Sequence, residues 1–176
     1  MIEKTEHMKK AAAAYMFLVI LLSAALSGCI KEESYPIIPE IEFLGFVKVY
    51  DTGQYAIRGI LTISFQDGDG DIGLYDSDTL PPYDKNGQYY YNYVIEYFEK
   101  QNGIFVKREL DPSFSARIPY LTPEGATKAI KGVIVDTLPM DPTPVYDTVR
   151  FRFFIYDRAL HASNADSTPP IILRRR

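Results

Sequence analysis

The chain reads Thr62-Ile63-Ser64-Phe65-Gln66-Asp67 at one point and Arg152-Phe153-Phe154-Ile155-Tyr156-Asp157 at another. Each stretch is apolar and aromatic, and each is rich in the residue types that favour a pleated, half-buried strand. Each also ends in an aspartate. The two stretches therefore predict two strands of the same kind, each followed by a polar loop.

Further segments share this composition, being β-branched or aromatic and bounded by Gly, Pro, Asp or Asn. The predicted strands are Ile41 to Tyr50, Gln54 to Gln66, Gln88 to Lys100, Ile104 to Leu110, Phe114 to Ile118, Ala129 to Val135, Thr148 to Tyr156 and Pro170 to Arg174. No segment after residue 29 shows the 3.6-residue period of an amphipathic helix. About eight short strands predict an all-β domain, an immunoglobulin-like β-sandwich, with a small closed barrel as the alternative.

The second predicted strand leads into an acidic loop, Asp67-Gly68-Asp69-Gly70-Asp71. Its carboxylates repel one another, and the intervening glycines let the backbone curl until alternate oxygens converge. Hard oxygen donors at this spacing suit calcium. The loop is not an EF-hand, because Ile72 stands where that motif needs Gly and Asp78 stands where it needs Glu. A solvated acidic turn is the alternative.

A second loop is expected beside the acidic loop. In an immunoglobulin-like sandwich the second and penultimate strands run in the same direction, so the loops that follow them lie at one end of the domain. Asp157 and Asn164 belong to the loop after the penultimate strand. The sequence therefore predicts a calcium site whose oxygen ligands come from Asp67, Asp69, Asp71, Asp157 and Asn164.

The first 28 residues have the pattern of an export signal. Lys4, Lys9 and Lys10 precede an unbroken apolar or small stretch over residues 11–28. A transmembrane anchor is the alternative, since a stretch of this length is at the lower edge of a bilayer span. Met8 is an alternative start, because the residues from Met8 onward already carry a complete signal.

The signal ends in Leu26-Ser27-Gly28-Cys29, which resembles the lipobox of bacterial lipoproteins. In that family the signal is cut before the cysteine, which then carries several acyl chains, enough for stable membrane anchoring. The resemblance implies a signal peptide over residues 1–28, a lipidated Cys29 with a tether over residues 29–40, and a β-sandwich domain over residues 41–176. Ile30-Lys31-Glu32-Glu33 resembles the tag of surface-exposed lipoproteins of Bacteroidota, which implies an outer-membrane location facing outward; a solvated tether is the alternative.

The chain as a whole resembles lipoproteins of Bacteroidota. Besides the lipobox and the Pro-containing tether, the resemblance rests on Asp67 to Gly73 and on Asp157-Arg158-Ala159 followed by Ser163-Asn164. The last piece is similar to the ending of many bacterial immunoglobulin-like and cadherin-like domains. This chain departs from that pattern with Leu160 and His161, where the pattern has Gly and Asn.

Composition excludes several classes of function. The chain has 176 residues, a formal net charge of −4, one Cys and two His. An acidic balance with no clustered basic face argues against a nucleic-acid partner. A single cysteine excludes an internal disulfide, CxxC redox chemistry and Cys-rich zinc sites. Because His7 lies in the predicted signal and leaves only His161, a mechanism that needs two imidazoles is excluded as well.

Two classes of function remain. The first is a membrane-anchored, non-enzymatic binding or structural module with bound calcium, whose partners are the membrane through Cys29 and a glycan or surface protein. The alternative is a carbohydrate-binding component of a nutrient-uptake system or a hydrolase with paired carboxylates. Tyr89, Tyr91 and Tyr93 share one face of their predicted strand and form the candidate sugar-stacking surface, with ordinary cross-strand packing as the alternative.

Overall fold

The computed structural model describes residue 16 and residues 34–122 and 129–175. The chain divides into two units, Met1–Glu33 and Ser34–Arg176, and the fold described below lies in the second. Cys29 and all of the predicted signal peptide except Met16 lie outside the described residues. Among the residues described, no helix has the length and apolar character needed to cross a bilayer.

The described part of the second unit is built from β-strands. In chain order they are β1 Glu40–Tyr50, β2 Ala56–Asp67, β3 Tyr93–Gln101, β4 Ile104–Arg108, β5 Ile130–Pro139, β6 Thr148–Ile155, β7 Asp166–Ser167 and β8 Ile171–Ile172. Every predicted segment overlaps one of these strands except Phe114 to Ile118, and no segment was predicted at β7. The all-β prediction is confirmed.

The strands form two antiparallel sheets. The first has the order β1-β2-β5, and the second has the order β4-β3-β6-β7 with β8 also paired to β6. The second strand thus lies at the centre of one sheet and the sixth at the centre of the other, as in an immunoglobulin-like sandwich. Thr62 to Asp67 forms the end of β2, and Arg152 to Asp157 forms the end of β6 and the two residues after it.

The core lies between the two central strands. Leu61 and Ile63 of β2 are fully buried, as are Phe151 and Phe153 of β6. These side chains alternate with more exposed neighbours along each strand, because successive side chains point to opposite faces of a sheet. Burying each phenylalanine contributes about 1.5–3 kcal/mol, which makes β6 a main source of stability.

Asn102 and Gly103 form the hairpin turn between β3 and β4. The two residues connect β3 and β4 with φ angles of 49° and 87°. A two-residue turn of type I′ needs positive φ at both positions, and Asn and Gly are the residues that tolerate it best.

The predicted strand Phe114 to Ile118 is wrong. The segment instead makes single contacts with the beginning of β3: Tyr93 and Ala116 exchange two backbone hydrogen bonds of 3.0 and 2.8 Å. The amide of the buried Asn92 then pairs with both backbone groups of Ile118, at 2.6 and 3.1 Å. Pro112 and Pro119 bracket the segment and offer no backbone N–H, so a longer ladder does not form.

Candidate metal centre

The acidic loop begins at the end of β2, the central strand of the first sheet, as the sequence predicts. Asp67 is the last residue of β2 and is fully buried, while Asp69 and Asp71 are half-buried. One carboxylate oxygen from each of the three residues lies within 4.8 Å of those from the other two. The predicted convergence of alternate carboxylates is therefore confirmed for Asp67, Asp69 and Asp71.

Local backbone chemistry produces this curl. The backbone N–H of Asp71 donates a hydrogen bond of 2.9 Å to Oδ2 of Asp67, which closes the loop on itself. Gly70 has a φ of 67°, a left-handed conformation that L side chains rarely adopt. A glycine at this position thus allows the chain to turn sharply between Asp69 and Asp71.

One oxygen of each of the three carboxylates has no hydrogen-bond partner among the described residues. Oδ1 of Asp67, Oδ1 of Asp69 and Oδ1 of Asp71 are buried and accept no hydrogen bond from any residue that the structure describes. Buried polar groups are nearly always hydrogen-bonded, and a buried charge without a partner is strongly unfavourable. Three such oxygens in one loop are the arrangement that a bound cation resolves.

The electrostatics of the loop point the same way. Burial, followed by the charges of Asp69 and Asp71, raises the pKa of Asp67 to about 7. Burial and the charges of Asp157 and Asp69 also raise the pKa of Asp71, even though backbone N–H groups partly offset the effect. Near neutral pH the loop thus carries negative charge in a place that disfavours it, which a cation would reverse.

The loop after β6 meets the acidic loop, as the immunoglobulin-like topology predicts. Ile72 and Asp157 form an antiparallel bridge. The backbone N–H of Arg158 donates to the carbonyl oxygen of Asp71 at 3.2 Å, and the N–H of Ala159 donates to Oδ2 of Asp71 at 3.1 Å. Asp71 therefore joins the loop that follows β2 to the loop that follows β6.

Asp157 lies beside the three convergent carboxylates without belonging to them. It is 2% exposed, and its negative charge contributes to the raised pKa values of Asp67 and Asp71. Both of its oxygens are taken by His161: the backbone N–H donates to Oδ1 at 2.7 Å, and Nδ1 lies 2.8 Å from Oδ2. Asp157 is thus a buried neighbour that orders its own loop, and its predicted role as a ligand stays a prediction.

The structure places the side chain of Asn164 against β1. Its side-chain amide pairs with the backbone of Ile41 in β1, where Oδ1 accepts the N–H at 2.8 Å and Nδ2 donates to the carbonyl at 2.8 Å. Asp166 continues this pattern by accepting the N–H of Phe43 at 2.7 Å. These side chains pair with backbone groups at the edge of β1, an arrangement that strand composition does not reveal, and the predicted role of Asn164 as a ligand stays a prediction.

The long connection between Asp67 and β3 is folded around Arg158. The guanidinium of Arg158 forms an ion pair with Asp78 and lies 4.8 Å from the ring centre of Tyr75. The Tyr83 hydroxyl donates to the carbonyl oxygen of Arg158 at 2.6 Å. The sequence does not single out Arg158 as a residue that holds this connection. Its position directly after Asp157 is the one sequence feature that points to it.

Arg117 fastens the same connection from a second side. Its guanidinium donates to the carbonyl oxygens of Tyr90 at 2.8 Å and Asp78 at 2.9 Å. It also lies 4.9 Å from the centre of the Tyr90 ring. Two arginines therefore hold the connection in place: Arg158 binds the side chain of Asp78, and Arg117 binds the backbone at Asp78 and Tyr90.

Of the three tyrosines in the predicted sugar-stacking surface, only Tyr93 belongs to a strand. Residues 88–92 precede β3 and are not part of it, so the alternation that placed Tyr89, Tyr91 and Tyr93 on one face does not apply. Tyr93 is 2% exposed and belongs to the core. Tyr89 meets Tyr156 edge-on with an angle of 77° between the rings. Sugar stacking on Tyr89 and Tyr91 stays a prediction.

Comparison of the chain with family models, with curated proteins and with solved structures finds no match. The geometry of the acidic loop is therefore the basis for proposing a function.

Proposed function

We propose that the acidic loop binds a calcium ion and that the protein serves as a calcium-stabilised, non-enzymatic binding or structural module anchored to the membrane through a lipidated Cys29. One observation carries the proposal: the buried Oδ1 atoms of Asp67, Asp69 and Asp71 accept no hydrogen bond from the described residues, and carboxylate oxygens of these three residues converge. A cation satisfies all three carboxylates at once.

The donor set favours calcium over other cations. The convergent atoms are all carboxylate oxygens, which are the ligands that calcium takes in proteins. Zinc prefers nitrogen and sulfur, and neither a His nor a Cys belongs to the set. Magnesium demands near-ideal octahedral geometry and keeps several waters, whereas calcium accepts an irregular loop and completes its shell with carbonyl oxygens and waters.

Calcium at this place would stabilise the end of the sandwich at which the loops meet. Asp71 is held by the backbone N–H groups of Arg158 and Ala159, and Arg158 in turn holds the long connection through Asp78. An ion that fixes Asp71 thus also fixes the positions of the loops that follow β2 and β6. We expect the binding surface of the module at this ordered end.

A melting experiment on the full chain in detergent tests the proposal. Calcium modules outside the cell bind with a Kd on the order of 10⁻⁴ to 10⁻³ M, so the comparison uses about 10 mM calcium against a chelator. A ligand at a hundredfold excess over its Kd stabilises the native state by about 2.7 kcal/mol. For a domain of this size, the melting temperature is expected to rise by several degrees.

Charge-removing variants identify the site. Asp69→Asn combined with Asp71→Asn is expected to abolish the rise, because both substitutions remove convergent carboxylates. Asp76→Asn is the matched control, since Asp76 lies on the same connection but is exposed and outside the convergent set. Equal melting temperatures in calcium and chelator for the unmodified chain would reduce the loop to a solvated acidic turn.

A further inference from the structure

The segment that leads into β1 lies directly on the acidic loop. We call residues 34–39 the tether segment. The backbone N–H of Gly68 donates a hydrogen bond of 2.7 Å to the carbonyl oxygen of Pro36. A Cβ atom on Gly68 would lie 2.3 Å from the carbonyl oxygen of Tyr35 and 2.8 Å from that of Pro36. The tether segment therefore crosses Gly68 at a distance that no side chain allows.

This contact acts on a ligand residue. The N–H that Pro36 accepts belongs to the peptide bond between Asp67 and Gly68, so the hydrogen bond fixes the peptide plane next to the buried carboxylate of Asp67. The Tyr35 ring lies 5.7 Å from Nζ of Lys131 in β5, which gives the tether segment a second contact with the first sheet.

We propose that calcium binding at the acidic loop and docking of the tether segment on Gly68 are coupled, so that each strengthens the other. This inference rests on the proposed calcium site. Without a cation, repulsion among Asp67, Asp69 and Asp71 favours a wider loop, which moves the peptide of Gly68 away from Pro36. A bound cation draws the three carboxylates together and restores the surface on which the tether segment docks.

The coupling gives calcium a second effect besides stabilising the loops. With the ion bound, the folded domain begins at the tether segment; without it, the folded domain begins at β1. Calcium thus sets whether residues 34–39 belong to the folded domain. Linkage is reciprocal, so disruption of the docked tether segment must weaken calcium binding by the same factor.

Calcium titration calorimetry of the full chain in detergent tests this reciprocity with two variants. Gly68→Ala places a Cβ against the tether backbone, and the double variant Tyr35→Gly with Pro36→Gly loosens the tether segment without touching residues 67–71. Both are expected to weaken calcium binding about fivefold or more, the usual range of such couplings. Gly53→Ala is the control, because a Cβ there meets nothing within 4 Å and its calcium affinity is expected to match that of the unmodified chain.

Amide hydrogen exchange gives a second readout on the unmodified chain. The Gly68 amide is expected to exchange slowly in calcium and at least about tenfold faster in chelator, because its partner among the described residues is the tether carbonyl of Pro36. The Ala56 amide, which donates to Leu173 at the other end of β2, serves as the control for general loosening and is expected to change much less.

The outcomes separate this inference from the proposed function. If Gly68→Ala weakens calcium binding but the tether double variant binds like the unmodified chain, distortion of the loop explains the loss and the coupling is wrong. Exchange of the Gly68 amide that is indifferent to calcium overturns it too, while the calcium site stands. An unmodified chain that binds no calcium overturns both proposals.

Discussion

At the scale of single residues, Asp67 determines the behaviour of the acidic loop. Its place directly after an apolar strand is visible in the sequence, and its carboxylate was expected to converge with those of Asp69 and Asp71. Its complete burial was not expected, because burial depends on how the tether segment and the loop after β6 close over it. Proximity along the chain predicts such a cluster, whereas desolvation follows only from the fold.

The raised pKa of Asp67 predicts a pH dependence in the absence of calcium. The folded protein keeps this proton over a pH range in which the unfolded chain has lost it, so the folded state binds more protons there and stability falls as pH rises. In chelator, the melting temperature is expected to fall between about pH 5 and about pH 7.5. Asp67→Asn should reduce this fall, and the control Asp76→Asn should keep it. A melting temperature in chelator that rises over this range would contradict the assignment.

Leu160 gives a second prediction at this scale. It has a φ of 69°, in the left-handed region that L side chains rarely adopt. A left-handed conformation costs an L residue other than glycine about 1–2 kcal/mol. Glycine avoids this cost, but it loses more backbone entropy on folding, which cancels part of the gain in stability. Leu160→Gly is therefore expected to raise the free energy of unfolding, measured by urea denaturation in calcium, by up to about 1 kcal/mol.

The control for this prediction is Asn102→Gly. Asn102 also has positive φ, at 49°, but its short polar side chain tolerates that conformation, so a smaller change is expected. A free energy of unfolding that Leu160→Gly lowers would contradict the idea that the backbone at this position is strained.

At the scale of elements, composition predicts the long strands well and the short or irregular ones poorly. The residues of β2 and β6 are apolar on the face toward the core, and that pattern decides their conformation without further context. Phe114 to Ile118 has the same composition, but flanking prolines and the Asn92 amide keep it out of a ladder. Residues 88–92 are rich in tyrosine, but their backbone forms hydrogen bonds with Arg117 and with nearby turns and does not join a strand ladder. Composition cannot indicate these partners.

Arg158 carries the prediction that belongs to this scale. A lysine at this position keeps the charge but loses the planar group that faces Tyr75 and pairs with Asp78. Arg158→Lys is expected to lower the free energy of unfolding by about 1–2 kcal/mol. Arg152→Lys is the control, because the Arg152 pair with Glu96 lies on the open face of β6 and is more exposed. Equal effects of the two variants in urea denaturation would contradict the organising role of Arg158.

At the scale of the whole molecule, one topological rule accounts for most of the successful site prediction. Two strands with similar sequences run in the same direction through opposite sheets, so their loops meet, as the bonds from Arg158 and Ala159 to Asp71 show. The same rule does not determine the partners of Asn164, because a loop that arrives at the right end still distributes its side chains by local pairing. Asn164 pairs with β1 and not with the acidic loop.

The proposed membrane anchor is tested at this scale too. Cys29 is the only cysteine of the chain, so no other thiol can carry a diacylglycerol. In a host with lipoprotein processing, Cys29→Ala is expected to abolish metabolic labelling with palmitate. Undiminished label on the variant would refute lipidation at this residue and would leave the calcium site unaffected.

The central claim is that the buried carboxylates hold a cation, and a count of bound calcium tests it most directly. Equilibrium dialysis of the full chain against radioactive calcium, up to about 10 mM, covers the affinity range of extracellular calcium modules. The account predicts that binding saturates at a single ion per chain and that Asp67→Asn loses this ion, while Asp76→Asn keeps it. Calcium binding by the unmodified chain no greater than that of Asp67→Asn at every free concentration would contradict the account.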